Sequence, residues 1–157
     1  MSKELDRPGT NPAVHPPLVA LLFIVIAYFL GRFIPLPFLV PPALRYAGLG
    51  LTLIGFLLGV GAFVEFRKSR TTLDPHGSST QLVTAGVFRF SRNPIYLGFL
   101  LMIIGLPLNS GIYWGFVSAP LFMITLTRLV IEREEAYLEK KFKEQYADYK
   151  SRVRRWL

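Results

Sequence analysis

The chain has 157 residues, of which 52% are hydrophobic and only 18% are charged. Soluble domains usually carry about 25% charged residues. Here the charges lie outside long apolar blocks, so the composition predicts a single membrane domain covering residues 1–157. The absence of cysteine excludes disulfides and thiolate metal sites. The net charge of +8 is typical of basic anchors beside membrane spans, and we expect no nucleic-acid partner.

The apolar blocks predict an all-α fold, a polytopic membrane bundle of about four transmembrane helices, because one span needs about 20 apolar residues. The predicted order is a polar segment (1–16), two spans (17–66), a polar loop (67–93), a helical hairpin (94–131) and a cytoplasmic helical tail (132–157). No small-residue cleavage site follows the first block, which is therefore expected to be a retained span. Gly55 and Gly59 form a GxxxG pattern that favours close helix packing within the bundle.

The distribution of basic residues predicts the orientation of the chain. Of the 18 lysines and arginines, only Arg32 and Arg45 fall on the side opposite to the large loop and the tail. Cytoplasmic segments are enriched in these residues. We therefore expect a multi-pass protein with both termini in the cytoplasm, in the inner membrane if the source is bacterial.

The polar tail contains a helical pattern with two unusual carboxylates. At 100° per residue one stripe is apolar, and it consists of Ile131, Leu138, Phe142, Tyr146 and Tyr149. Glu134 and Glu135 flank this stripe, and Arg128 shares the side of Glu135. Charges on an inward-packing face are costly unless they are paired or used. Two interpretations stay open, an Arg128–Glu135 ion pair that braces the helix or a ligand site.

Ser91-Arg92-Asn93-Pro94 opens the third apolar block. Asn is a strong N-cap and Pro is favoured at the first helical position. A helix N-terminus also attracts anions, and Arg92 would reinforce a carboxylate or a phosphate. The alternative is simple capping beside a membrane-surface arginine. His15 and His76 are too far apart in sequence to suggest a metal site.

Two segments together resemble the integral-membrane methyltransferases, a superfamily that includes isoprenylcysteine carboxyl methyltransferases and phospholipid N-methyltransferases. They are LVTAGVFRFSRNPIYLG and, some 35 residues later, EREEAYLEKKFKEQYADYKSRV. The resemblance covers residue 71 to the C-terminus. It implies S-adenosyl-L-methionine as the methyl donor, with S-adenosyl-L-homocysteine as product, and a membrane-embedded or lipophilic acceptor as partner together with membrane lipids. It implies no metal.

The resemblance also implies the site residues. Carried over by position, the cofactor pocket would consist of Gln81, Leu82, Val83, Phe88, Arg92, Asn93, Pro94, Ile95, Tyr96 and Glu134. The donor offers a carboxylate to the helix N-terminus and Arg92, and cationic groups and hydroxyls to Glu134. We expect Glu135 to accept a proton where the acceptor must lose one, and Arg128 to orient an anionic acceptor or a lipid phosphate. These two are the predicted catalytic residues.

Three departures bear on the acceptor. The carboxyl methyltransferases usually have His where this chain has Asn93, and the eukaryotic prenylcysteine enzymes have an arginine where it has Val130. The Phe-Gly of the family is Phe142-Lys143 here. Prenylcysteine specificity is therefore not transferred to this chain, and the expected activity is isoprenylcysteine carboxyl methyltransferase-like or phospholipid methyltransferase-like. The alternatives are methyl transfer to a small hydrophobic thiol or amine, and a non-catalytic membrane subunit that retains the fold.

Overall fold

The structure, a computed structural model, describes residues 14–69 and 81–157. The described residues form helices and connecting segments, with no strand among them. The α-helices are α1 (Pro16–Phe33), α2 (Pro42–Lys68), α3 (Pro94–Asn109), α4 (Gly115–Leu126) and α5 (Glu132–Arg152). A short 3₁₀ turn at Gly86–Arg89 precedes α3, and a π-helical turn at Thr127–Ile131 joins α4 to α5. The predicted all-α class is confirmed; the predicted turn around His76 lies outside the described residues.

Proline starts three of the helices. Pro16, Pro42 and Pro94 are the first residues of α1, α2 and α3. The first helical position needs no N–H donor, and the fixed φ of proline suits it. The third helix therefore begins at Pro94, as the sequence predicted, and its start is the reference point for the site described below.

Helix α3 occupies the centre of the bundle, with α2 on one side and α1 and α4 on the other. Glycines let α2 and α3 approach to backbone contact. A Cβ built on Gly55 would lie 2.5 Å from the carbonyl oxygen of Gly98, and one on Gly105 would lie 2.5 Å from that of Gly48. The predicted close packing at Gly55 is confirmed. Gly59, in contrast, has nothing within 4 Å of an added Cβ.

Three helical stretches are long and apolar enough to cross a bilayer: α1, α2 and the continuous stretch Gly115–Arg152, of which the apolar part precedes the charged helix α5. Helix α3 has 16 residues, which gives about 24 Å at the α-helical rise against a hydrocarbon core of about 30 Å. Irregular backbone at membrane depth is tolerated where protein covers it, and the central place of α3 provides such cover. The chain is a polytopic helical membrane bundle.

The π turn changes the register between α4 and α5. One additional residue in a turn rotates all later residues by roughly 100°. Arg128, within this turn, is therefore exposed and pairs with Glu132, its Nη1 lying 3.1 Å from Oε1. Glu135 is buried. The predicted ion pair between Arg128 and Glu135, which a regular helix would allow, is therefore wrong.

Helix α5 is bent at Lys143, whose φ of 44° and ψ of −115° are not helical. Positive φ is rare outside glycine because Cβ meets the backbone. The bend carries the second half of α5 back over the segment before α3, where Tyr146 and Tyr149 are buried.

Candidate functional site

The segment before α3 is fixed against α2 by apolar side chains. Val83 and Phe88 are buried with Ala62 of α2, and Ile95 packs against this cluster. The backbone carbonyl of Phe88 accepts a hydrogen bond of 2.7 Å from the hydroxyl of Tyr149. Three predicted pocket residues, Val83, Phe88 and Ile95, thus lie in or beside this layer, whereas Leu82 is half-buried and Gln81 is exposed.

Glu135 of α5 is held by two arginines. Arg155 binds it in bidentate fashion, with Nε 3.0 Å from Oε1 and Nη2 2.6 Å from Oε2. Nη1 of Arg92 lies 3.1 Å from the same Oε1. The side chains of Arg92 and Glu135 are each only 9% exposed. A buried carboxylate between two guanidinium groups joins the start of α3 to α5 and to the chain's end.

Arg92 has unused donor capacity within this cluster. Its Nη1 also donates to the hydroxyl of Tyr146 at 3.2 Å, and burial raises the pKa of Tyr146 to about 12, so that this phenol stays neutral. No acceptor among the described residues reaches the buried Nε of Arg92. A buried guanidinium N–H without a partner is rare. An anionic ligand group would satisfy it.

Glu134 points to a different partner from its neighbour. The hydroxyl of Tyr96, in the first turn of α3, donates a hydrogen bond of 2.8 Å to Oε1 of Glu134. Burial raises the pKa of Glu134 to about 7; the Tyr96 hydrogen bond opposes this rise and the charge of Glu135 adds to it. Glu134 lies in the polar helix α5, which follows the apolar span. Because its pKa is about 7, its carboxyl group changes charge near neutral pH.

Asn93 precedes α3 but its side chain does not cap the helix. Its amide nitrogen instead donates to the carbonyl of Arg155 at 3.0 Å. The alternative of simple capping beside a surface arginine is therefore wrong on both counts, because Arg92 is buried as well. The first turn of α3 is left without a side-chain cap, which is the condition for an anion to bind there.

The structure thus joins most of the predicted site residues and separates two. Arg92 to Tyr96, Phe88, Glu134 and Glu135 lie around the start of α3, whereas Gln81 is exposed and Arg128 lies with Glu132 on the exposed side of the π turn. Ser91 and Arg155 were not predicted, and neither Tyr146 nor Tyr149 was assigned a role beyond the apolar stripe. The stripe pattern carried a signal for the tyrosines. No periodicity reaches Arg155, which follows the end of α5.

Comparison with known protein families assigns the chain to one of them. The phospholipid methyltransferase family matches residues 44–145, which include nearly all of α2, the whole of α3 and α4, and both carboxylates. The chain belongs to the phospholipid methyltransferase family. The match ends before Tyr146, Tyr149 and Arg155.

Curated relatives agree with that assignment. The chain is 30% identical over 112 residues to the protein-S-isoprenylcysteine O-methyltransferase of Schizosaccharomyces pombe, covering 68% of this chain and 46% of that protein. It is 32% identical over 111 residues to protein-S-isoprenylcysteine O-methyltransferase B of Arabidopsis thaliana, covering 68% and 55%. An uncharacterized protein of Haemophilus influenzae is 38% identical over 63 residues, which are 40% of this chain and all of that protein. The chain spans about half the length of the two isoprenylcysteine O-methyltransferases. No solved structure matches it.

Proposed function

We propose that this protein is an integral-membrane methyltransferase that uses S-adenosyl-L-methionine and acts on a lipophilic acceptor. The observation that carries the proposal is the pair Glu134 and Glu135 beside the uncapped start of α3. It lies within the part of the chain that the phospholipid methyltransferase family matches. The related isoprenylcysteine enzymes are methyltransferases by name, and a chain with helical stretches able to cross a bilayer would meet a lipophilic acceptor within the membrane.

The residues at the start of α3 fit this donor chemically. Its carboxylate suits the unpartnered Nε of Arg92 and the free first-turn N–H groups that a helix N-terminus presents. Glu134, titrating near pH 7, suits its cationic and hydroxyl groups. The remaining pocket residues of the proposal are Gln81, Leu82, Val83, Phe88, Asn93, Pro94, Ile95 and Tyr96. When bound, S-adenosyl-L-methionine supplies an electrophilic methyl group.

The protein itself contributes mainly by aligning the reactants and excluding water. A methyl transfer in line needs alignment of two reactants, and alignment alone lowers a barrier by about 7–11 kcal/mol. Helix α3 is held between α2 and α4, and the bent α5 covers the segment before it. Aromatic rings at Phe88 and Tyr96 limit the access of water and favour a nearby cation.

The two predicted catalytic residues take different places in this proposal. The carboxylate of Glu135 is engaged by Arg92 and Arg155, so a proton taken from an amine or a thiol would have to displace one of these bonds. A carboxylate acceptor needs no such base. Arg128 lies exposed at the end of the apolar span. We propose that it exchanges its bond to Glu132 for a lipid phosphate or an anionic acceptor that arrives from the membrane side.

We further propose that the site faces the cytoplasm and that prenylcysteine specificity is not transferred to this chain. The first is supported by the crowding of basic residues around the loop and tail. The second is supported by the identities of Asn93 and Val130; Asn93 bonds Arg155, and Val130 is 1% exposed, inside the apolar core. Isoprenylcysteine carboxyl methyltransferase-like and phospholipid methyltransferase-like activities both stay open.

Radiolabelled methyl transfer tests the proposal. The purified protein in lipid nanodiscs is given labelled S-adenosyl-L-methionine with total membrane lipid, and in parallel with hydrophobic thiols and amines, and the labelled product is identified. We expect label in a lipid or another lipophilic product, and its loss in Glu134→Gln. If label appears only in a small thiol or amine, the acceptor is of that class and not a lipid. No label in any pool, with a folded protein that binds no donor, would favour the non-catalytic subunit.

A further inference from the structure

The last residues of the chain lie across the start of α3. Val153 leaves α5 in an extended conformation, and residues 153–157 form what we call the C-terminal strap. The carbonyl of Arg154 accepts the backbone N–H of Arg92 at 3.0 Å. The carbonyl of Arg155 accepts the Ser91 hydroxyl at 3.2 Å and the Asn93 amide at 3.0 Å. Three consecutive residues before α3 are thus bonded to two consecutive carbonyls of the strap.

The side chains of the strap continue the same attachment. Arg155 is the bidentate partner of Glu135, and its side chain is 33% exposed, against 9% for Glu135. Trp156 and Tyr96 both pack against the buried apolar cluster of α1, α3, α4 and the π turn, which includes Ile103, Phe122 and Leu126. Arg155 therefore contacts both ends of the proposed donor site, with its carbonyl at Asn93 and its guanidinium at Glu135.

We infer that Arg155 is a positioning residue for the donor site, acting through Glu135 and Asn93. This rests on the proposed function. Arg155 takes up both oxygens of Glu135, so that Arg92 needs only its Nη1 for the same carboxylate and keeps its Nε available. Its carbonyl accepts the side-chain N–H of Asn93, which holds this side chain away from the position where its oxygen would cap the first turn of α3. The strap lies outside the residues that the family matches.

The consequence concerns donor binding rather than the chemical step. Without Arg155, Arg92 becomes the sole strong partner of Glu135, and its guanidinium turns toward that carboxylate. The backbone carbonyl of residue 155 remains, but the strap loses the ion pair that fixes it, so the bond from the Asn93 amide weakens and the side-chain oxygen of Asn93 can turn to cap α3. Both changes remove partners from the donor while leaving the acceptor side intact, so the KM for the donor rises more than kcat falls.

Kinetics of three variants test this inference. We expect Arg155→Ala to raise the KM for S-adenosyl-L-methionine by roughly tenfold, which is the size expected for a lost charge-assisted contact, with kcat within about twofold. Arg155→Lys keeps the charge but not the fork, and we expect it to recover part of this loss. Arg152→Ala is the matched control, since Arg152 pairs only with Asp148 on the exposed end of α5. An unchanged KM in Arg155→Ala, or an equal change in Arg152→Ala, would overturn the inference.

Amide hydrogen exchange without any ligand separates this inference from the proposed function. The N–H of Arg92 is bonded to the strap, so Arg155→Ala should raise its exchange rate and that of the first turn of α3 by roughly tenfold. Arg155→Lys should give a smaller rise and Arg152→Ala none. Unchanged exchange in Arg155→Ala shows that the strap positions nothing, whatever the activity. A wild-type protein that neither binds nor uses the donor, yet shows this exchange response, sinks the proposed function and leaves the attachment of the strap standing.

Discussion

Glu134 and Glu135 are adjacent in sequence, yet they meet opposite environments. Glu135 lies between two guanidinium groups, while Glu134 meets the hydroxyl of Tyr96. Consecutive helical residues point about 100° apart, which is enough to place one toward the strap and the other toward the first turn of α3. One carboxylate thereby joins elements, and the other stays available to a ligand.

The pKa of Glu134 gives donor binding a pH dependence. Because the group is ionised only above about pH 7, a ligand with a cationic amine binds more weakly at pH 6 than at pH 8, by up to roughly tenfold for one titrating group. Titration calorimetry with S-adenosyl-L-homocysteine at the two pH values measures this. In Glu134→Gln binding should be weak at both values. Equal affinity of the wild type at both values would contradict this role.

Tyr96→Phe shifts that dependence in a defined direction. The hydrogen bond from Tyr96 lowers the pKa of Glu134, so its removal moves the binding midpoint to higher pH. At pH 7 the variant should bind the ligand more weakly than the wild type, and the difference should narrow at higher pH. A midpoint that stays in place or moves to lower pH would show that the phenol does not act on this carboxylate.

The sequence predicted the carboxylate pair and the start of α3, because acids beside an apolar stripe and Asn-Pro before an apolar block are local signals. It did not predict the partners of Glu135. Arg155 is 20 residues away along the chain and follows the end of α5, so only the fold brings it back. The predicted ion pair between Arg128 and Glu135 assumed a regular helix, and no residue type in the sequence indicates a π turn.

At the scale of elements, the bend in α5 places a lysine where backbone geometry favours glycine. Lys143 has a φ of 44° and its side chain is exposed, so it gains little in return for a conformation that costs about 1–3 kcal/mol. Lys143→Gly should stabilise the protein by roughly 1 kcal/mol and raise its Tm by about 2–4 °C. Lys143→Ala is the control, since it removes the side chain and keeps the strain. No rise with glycine beyond that with alanine would mean that the bend is unstrained.

The packing of α2 on α3 gives a second element-scale prediction from one GxxxG pattern. Gly55→Ala would put a Cβ 2.5 Å from the carbonyl oxygen of Gly98, whereas Gly59→Ala meets nothing within 4 Å. We expect Gly55→Ala to destabilise the protein by about 1–3 kcal/mol and Gly59→Ala to be neutral or slightly stabilising, because alanine is the better helix former. Thermal unfolding in detergent measures both. Equal changes in stability in the two variants would contradict the close contact of Gly55 with α3.

The helices themselves were predicted well because their signals are long and local. Prolines at the starts and apolar blocks between polar segments define α1, α2 and α3. The GxxxG pattern indicated close packing, but it could not tell which glycine makes contact. That depends on the side of α2 that α3 occupies, and hence on the whole bundle.

At the scale of the molecule, the apolar spans and the polar site form one arrangement. Exposed apolar side chains cover α1 and α2, among them Leu22, Phe29, Phe56 and Leu57, as expected for a lipid-facing surface. Helix α3 is shielded at the centre and starts at the site. On the proposed function, a lipophilic acceptor would reach the start of α3 from the bilayer and a polar donor would reach it from water.

Binding of S-adenosyl-L-homocysteine to the purified full-length protein in detergent is the most direct test of the central claim, that the start of α3 and the pair Glu134–Glu135 form a methyl-donor site. Calorimetry at pH 8 should give one site per chain, and Glu134→Gln should weaken it sharply, while Arg152→Ala leaves it unchanged. A folded wild-type protein that shows no binding at millimolar ligand would contradict the claim. Undiminished affinity in Glu134→Gln would place the donor elsewhere.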